Sequence, residues 1–285
     1  PLSSTGAYLA GQQALQELRT PDAARFLHDA AVDGWDNPTV LDRAYLAYAA
    51  DGDIDSAVTA AQHLLTLEPG NQLAKIVVAT EAIKQRRYDA ALRALDKMGE
   101  DSFEGITGAV LRAWAIAGTG NFDAAFKALD RIGNGGLEEF LVFHRALMAD
   151  LAGRQSDAVK LATEALDSDP YTVPVLETYA RVLANAGQFD KALDAIVQFE
   201  AQGLSHPAIS ALKLQLIAKQ RPVHYVDSVQ AGGAELFHSL GVAFARQGSN
   251  DIGLVLLLVV CYLDPRNLHS PSAIGPLDVS AGQHD

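Results

Sequence analysis

Residues 234–265 read AELFHSLGVAFARQGSNDIGLVLLLVVCYLDP, and this stretch decides the fold. Phe237, Leu240, Gly241 and Phe244 stand at i, i+3, i+4 and i+7, the spacing of one face of an α-helix. Gly248-Ser249-Asn250-Asp251 then predicts a turn, because these residues accept left-handed or side-chain-bonded geometry. An apolar run of helical length follows, Ile252–Leu263, and Asp264-Pro265 stops it, since proline cannot continue a helix. Two helices and a stop make one unit.

Moving toward the N-terminus recovers the same plan again and again. Helix pairs open near residues 4, 38, 72, 106, 139 and 173, at intervals of 34, 34, 34, 33 and 34. The second pair is the cleanest: Leu41, Tyr45 and Tyr48 stripe its first helix, Asp51-Gly52-Asp53 turns the chain, and Ala57, Ala61 and Leu64 stripe its second. Small residues recur where two helices of a pair must cross closely. Beyond these six pairs the beat slips. A helix over 207–219 has its partner reduced to 223–230, interrupted at Arg221-Pro222 and ended by Gly232-Gly233. This is a seventh, degenerate pair, and the quoted stretch is an eighth opening at 234. Residues 268–285 hold Pro271, Gly275, Pro276 and Gly282 without a helical stripe and predict an irregular tail. The expected architecture is all-α, one repeat domain over 4–267.

Composition narrows the function. With 22 Lys+Arg against 35 Asp+Glu the formal charge is -13, which repels a phosphate backbone and argues against nucleic acid. The cations Lys84, Arg86 and Arg87 cluster at a helix end, where the helix dipole favours them. Cys261 is the single cysteine, so neither an internal disulfide nor a cysteine-rich metal site is expected. Pro1–Gly6 has neither a basic start nor an apolar core of the signal-peptide kind. The longest apolar run, 12 residues, is short of the ~20 that span a bilayer, so a soluble chain is expected.

Catalytic patterns fail on inspection. The eight histidines never form H-E-x-x-H, and Gly118-Thr119-Gly120 lacks a third glycine and a preceding strand. Ser239 has Phe237 two residues before it where a nucleophile elbow needs glycine. No enzyme, cofactor or metal site is predicted.

The repeat resembles the tetratricopeptide repeat family. Phe237, Leu240, Gly241 and Phe244 occupy the four places of its W-x-x-L-G-x-x-Y first helix, and Pro265 its terminal proline. Its second-helix alanines are matched by Ala158, Ala162 and Ala165, and elsewhere by Ala57, Ala125 and Ala192. Departures are the opening aromatic, mostly Leu, Val or Ala here, and Gly253 where alanine is usual. The resemblance implies a right-handed superhelical α-solenoid of about eight helix-turn-helix repeats. It also implies a non-enzymatic scaffold whose first helices line a concave groove for a protein or peptide. Carried over by register, that groove includes Ile76, Thr80, Ile83, Val110, Trp114, Phe140, Phe143, Leu147, Asp150, Glu177 and Arg181. Only Arg181 in this set is cationic, which argues against a clamp for a terminal carboxylate. The expected ligand is an amphipathic helix or apolar peptide. The rival reading is a carrier of lipid or another hydrophobic small molecule in the same cavity.

A looser likeness, carried by Ala231–Phe237 and Phe244–Gly248, is to large tetratricopeptide proteins of the bacterial cell envelope. It implies an envelope or periplasmic location, with the cytoplasm as the alternative. Finally, Leu254, Leu256, Leu258 and Val259 lie in a run without charge, and a helix apolar all round needs cover. They predict a C-terminal interface, covered by the tail, by a second copy of the chain or by further repeats.

Overall fold

The computed structural model describes residues 1–98, 102–133, 137–246 and 262–264. Leu254, Leu256, Leu258, Val259, Cys261 and the tail 268–285 lie outside the described residues. Among the described residues every regular element is helical, and the helices form two compact units.

The first unit holds residues 1–119 together with the chain from 233 onward. Its helices are α1 (Ser4–Gln16), α2 (Thr20–Asp33), α3 (Pro38–Ala50), α4 (Ile54–Leu67), α5 (Gln72–Lys84), α6 (Tyr88–Ala94) and α7 (Phe103–Gly118). Each packs on the next, and first helices also touch along the stack, α1 on α3 and α5 on α7. The second unit, residues 120–232, repeats the plan. It comprises α8 (Phe122–Asp130), α9 (Glu138–Leu151), α10 (Gln155–Ser168), α11 (Val173–Asn185), α12 (Phe189–Ala201) and α13 (Pro207–Ile217).

The helix starts are chemically marked. Ser3, Asn37, Asp53, Asn71, Ser102 and Asn121 each accept a backbone N–H of the following first turn through the side chain. Pro21, Pro38, Pro174 and Pro207 sit at the first or second helical position, where a missing N–H is harmless. Ser102 caps α7 from three residues earlier than the stripe at 106 suggests.

The turn inside each pair is one repeated device. The residue closing the first helix is left-handed at Leu18, Gly52, Arg86, Gly120, Gly153 and Gly187, and again at Lys219. In each of the complete motifs the next N–H reaches back five residues, as in Asp53 N to Tyr48 O (2.9 Å) and Gln188 N to Leu183 O (2.8 Å). Within the units the second helix then lays one alanine against the first: Ala23, Ala57, Ala91, Ala158 and Ala192 are all fully buried, and so is Ala125 of α8. Gly11 and Gly118 serve the same end from the first helix, since a Cβ there would run into Leu27 and into the Tyr88 ring.

The structure departs from the sequence reading near the C-terminus. The partner of α13 is not a helix: residues 218–219 turn the chain, and 220–228 are irregular with bends at Tyr225 and Ser228, as Arg221-Pro222 disfavours a helix there. The next helix, α14 (Val229–Arg246), begins five residues ahead of 234 and contains Gly232 and Gly233 instead of ending at them. Ser228 Oγ accepts Ala231 N–H at its start. Gly233 faces Leu263 and Leu111 of α7, where a Cβ would make ordinary van der Waals contacts of 3.4 and 3.5 Å. Residues 233–246 of α14 therefore belong with the first unit instead of extending the stack past α13.

Three substitutions test this packing by urea unfolding. Gly153→Ala meets no atom within 4 Å, so its cost is conformational alone, about 1 kcal/mol, and Arg86→Gly gains about as much. Ala57→Leu, which overpacks the α3–α4 crossing, costs about 1–3 kcal/mol.

Candidate functional site

The first-helix faces of the two units carry the side chains singled out by register, and the two faces differ in chemistry. In the first unit Ile76, Thr80, Ile83, Val110 and Trp114 are all buried, the last three at 0 % exposure. Thr80 Oγ1 donates to Ile76 O within its own helix (2.7 Å), so its hydroxyl is already engaged. The returning chain packs on this part of the unit. Gly233 of α14 faces Leu111, and Leu236 and Phe237 are fully buried. Tyr262 lies beneath the Lys84 ammonium, 5.7 Å from nitrogen to ring centroid, and hydrogen-bonds Gln85 of the turn after α5. Burial, and next the Glu81 charge, push the Tyr262 phenol above its usual range. Trp114 and its neighbours are thus core in this arrangement, and no ligand reaches them without displacing protein.

The outer side of the same unit carries a cleft of about 430 Å³ between α2 and α4. Trp35 stacks on His63 at 4.8 Å, His63 Nε2 lies 2.9 Å from Asp36, and His28 Nδ1 lies 2.9 Å from the Tyr48 hydroxyl. His28 and His63 thus both have side-chain partners.

In the second unit the face of α9 begins apolar. Phe143 and Leu147 are buried, Phe140 is partly so, and both phenylalanines meet the His144 ring edge-on at 4.6 and 5.8 Å. His144 is fully buried, and burial pushes its imidazole down to about 3. It is neutral across the physiological range.

Toward the C-terminal ends of α9 and α11 the face turns polar and is occupied. Residues 221–227, the irregular stretch in place of a seventh second helix, cross these helix ends. Asn185 Nδ2 donates to Pro222 O (3.1 Å) and Arg181 Nη1 to Val223 O (3.0 Å). His224 Nδ1 lies 2.9 Å from both oxygens of Asp150. Pro222 and Val226 are buried, whereas Val223 is 75 % exposed. Arg181 Nη2 is braced by Glu177 Oε1 at 3.2 Å, both side chains being largely buried. Gln155 Nε2 donates to Asn185 O (2.9 Å), holding the far end of α11 against the start of α10. The Asp150 carboxyl is raised above its usual value by burial, with the His224 hydrogen bond pulling the other way.

Of the register-derived set, Asp150, Glu177 and Arg181 are therefore brought together around a piece of backbone. Asn185, Gln155 and the 222–226 stretch were missed. The signal was the broken seventh pair: a proline in a segment where the beat demands a helix. Among the described residues no His, Cys, Asp and Glu side chains group as metal ligands, and no helix is long and apolar enough to cross a membrane.

No family model and no curated protein matches the chain. Among solved structures, a tetratricopeptide repeat protein from Parabacteroides merdae aligns over 76% of this chain and 85% of its own, with 18% identity and a TM-score of 0.56. Two larger alignments are looser. Naa15/Naa10 bound to HypK-THB matches 99% of this chain over 49% of its own length, at 14% identity and a TM-score of 0.39. The P58(IPK) TPR domain matches 99% of this chain over 93% of its own, at 13% identity and a TM-score of 0.30. The first likeness, with the recurring pair geometry, shows the fold: stacked helix pairs of the tetratricopeptide kind.

The buried imidazole sets an acid limit on the second unit. His144 is neutral in the fold but protonates near 6.5 when unfolded, so stability present above pH 6.5 is lost as pH falls toward 3. Between pH 7 and 5 this histidine accounts for a loss of about 2 kcal/mol. Urea midpoints of the wild type and His144→Leu at both pH values check it; the variant's pH dependence should be flatter by that amount.

Proposed function

We propose that this tetratricopeptide-fold chain is a non-enzymatic scaffold that holds a protein segment on its first-helix face. The observation that carries the reading is the seat at the ends of α9 and α11. There Asn185 and Arg181 donate to successive main-chain carbonyls, and Asp150 takes an adjoining imidazole. Donors aimed at backbone oxygens recognise extended polypeptide whatever its exact side chains, and a carboxylate beside them adds a preference for a cation. The net charge of -13 favours a basic partner, by steering its approach through solution.

The predicted apolar groove of the first unit supports a different role. Ile76, Ile83, Val110 and Trp114 are packed inside the protein, so they contribute stability. The rival reading, a lipid carrier, needs open apolar walls there, and these side chains do not supply them.

The immobilised chain should recover a protein partner from its native source. Double charge reversal, Asp150→Lys with Arg181→Glu, should cut recovery at least tenfold while the helical circular dichroism is unchanged. Equal recovery by the reversed protein would remove this face from the function. Lipid, found by mass spectrometry after organic extraction in place of a protein partner, would favour the carrier.

A further inference from the structure

The stretch in the second-unit seat belongs to the chain itself, and its hold is partial. It is fastened by two main-chain carbonyls, one imidazole–carboxylate contact and the buried side chains of Pro222 and Val226. Between these anchors Val223 projects into solvent and His224 is half exposed. Arg181 is incompletely used: its Nη groups bond Val223 O and Glu177, while its buried Nε has no hydrogen-bond partner. Such a donor is normally satisfied, and leaving it bare is unfavourable. The stretch has no helical hydrogen bonds of its own to lose on leaving the seat.

We propose that residues 221–227 are a built-in pseudo-ligand and that the seat takes a competing peptide of the same chemistry. This deepens the scaffold reading and rests on it. The competitor is an extended peptide presenting two successive carbonyls to Asn185 and Arg181. It carries proline or another apolar residue at the Pro222 and Val226 places, and histidine, lysine or arginine opposite Asp150. Lysine or arginine strengthens the Asp150 contact, because its charge is permanent near neutrality. Tethering gives the internal stretch a high effective concentration, so a free peptide competes poorly until an internal anchor is weakened. The seat is closed at rest and opens to a ligand that outbids its own chain.

The test uses the whole chain and a fluorescent peptide spanning residues 219–229 with blocked ends. His224→Ala loosens the internal stretch at an exposed side chain and should tighten peptide binding about tenfold or more over wild type, the usual worth of a charge-assisted hydrogen bond. Adding Arg181→Ala should abolish that gain. Replacing the histidine of the peptide by lysine should bind tighter still, and by glutamate should not bind. Binding to His224→Ala that survives Arg181→Ala would overturn the proposal. So would no saturable binding to a His224→Ala protein that melts like wild type. Amide exchange gives a second readout: added peptide should speed exchange at Val223–Val226 of the protein, and unchanged exchange at saturation argues against displacement. If partner recovery persists while the peptide fails, the pseudo-ligand idea falls and the scaffold reading stands; if both fail, both fall.

Discussion

The structure depends on how closely two helices can cross. At the start of α2, α4, α6, α10 and α12 a fully buried alanine stands where the helix packs on the first helix of its pair: Ala23, Ala57, Ala91, Ala158 and Ala192. A methyl group there lets the two backbones approach without leaving a void, and a larger side chain would push them apart. Within each unit helices pack mainly on their neighbours in the chain. The left-handed turn residue maintains this register: it reverses the chain in the least length and satisfies the last carbonyls of the first helix. Leu18, Arg86 and Lys219 accept that conformation without being glycine, so the geometry is imposed by the stack around them.

A stack of this kind has faces that its own pairs do not cover, and here the chain supplies the cover. In the first unit α14 brings Leu236 and Phe237 into full burial, with Tyr262 over the end of α5. Apolar side chains removed from water hold that contact, so it is a permanent part of the unit. In the second unit the cover is a short irregular stretch whose fastenings include main-chain hydrogen bonds, each worth only about 1 kcal/mol net. The first is architecture and the second is the kind of contact that a partner can replace. The difference follows from composition: Ile, Val and Trp on α5 and α7 against Asp, Glu, Arg and Asn at the ends of α9 and α11.

Much of this was legible in the residues. Spacing near 34 located the pairs, because alanine, glycine and the turn residues recur wherever the same crossing and reversal recur. Asp150, Glu177 and Arg181 were found by register, since equivalent positions on successive first helices project the same way. The partners of those three were not legible. His224 is 74 residues from Asp150, and Val223 is 42 from Arg181. Nothing local in 221–227 tells that a stretch failing to be a helix will lie across helices so distant in sequence. Gly232-Gly233 misled for a related reason. Paired glycines often end a helix in solvent, but here both lie inside α14, with Gly233 facing Leu111 and Leu263.

The sequence by itself determined the helices, the left-handed turns between them and the pairing of neighbours, because those depend on contacts within about one repeat length and on backbone chemistry that single residues carry. Only the tertiary structure decided which faces are open. It put α14 with the first unit instead of at the end of the stack, turned Trp114 from a candidate ligand contact into core, and laid 221–227 across Arg181 and Asn185. Those outcomes depend on which apolar surface is left uncovered after the pairs have stacked, a sum over the whole chain that no local pattern contains.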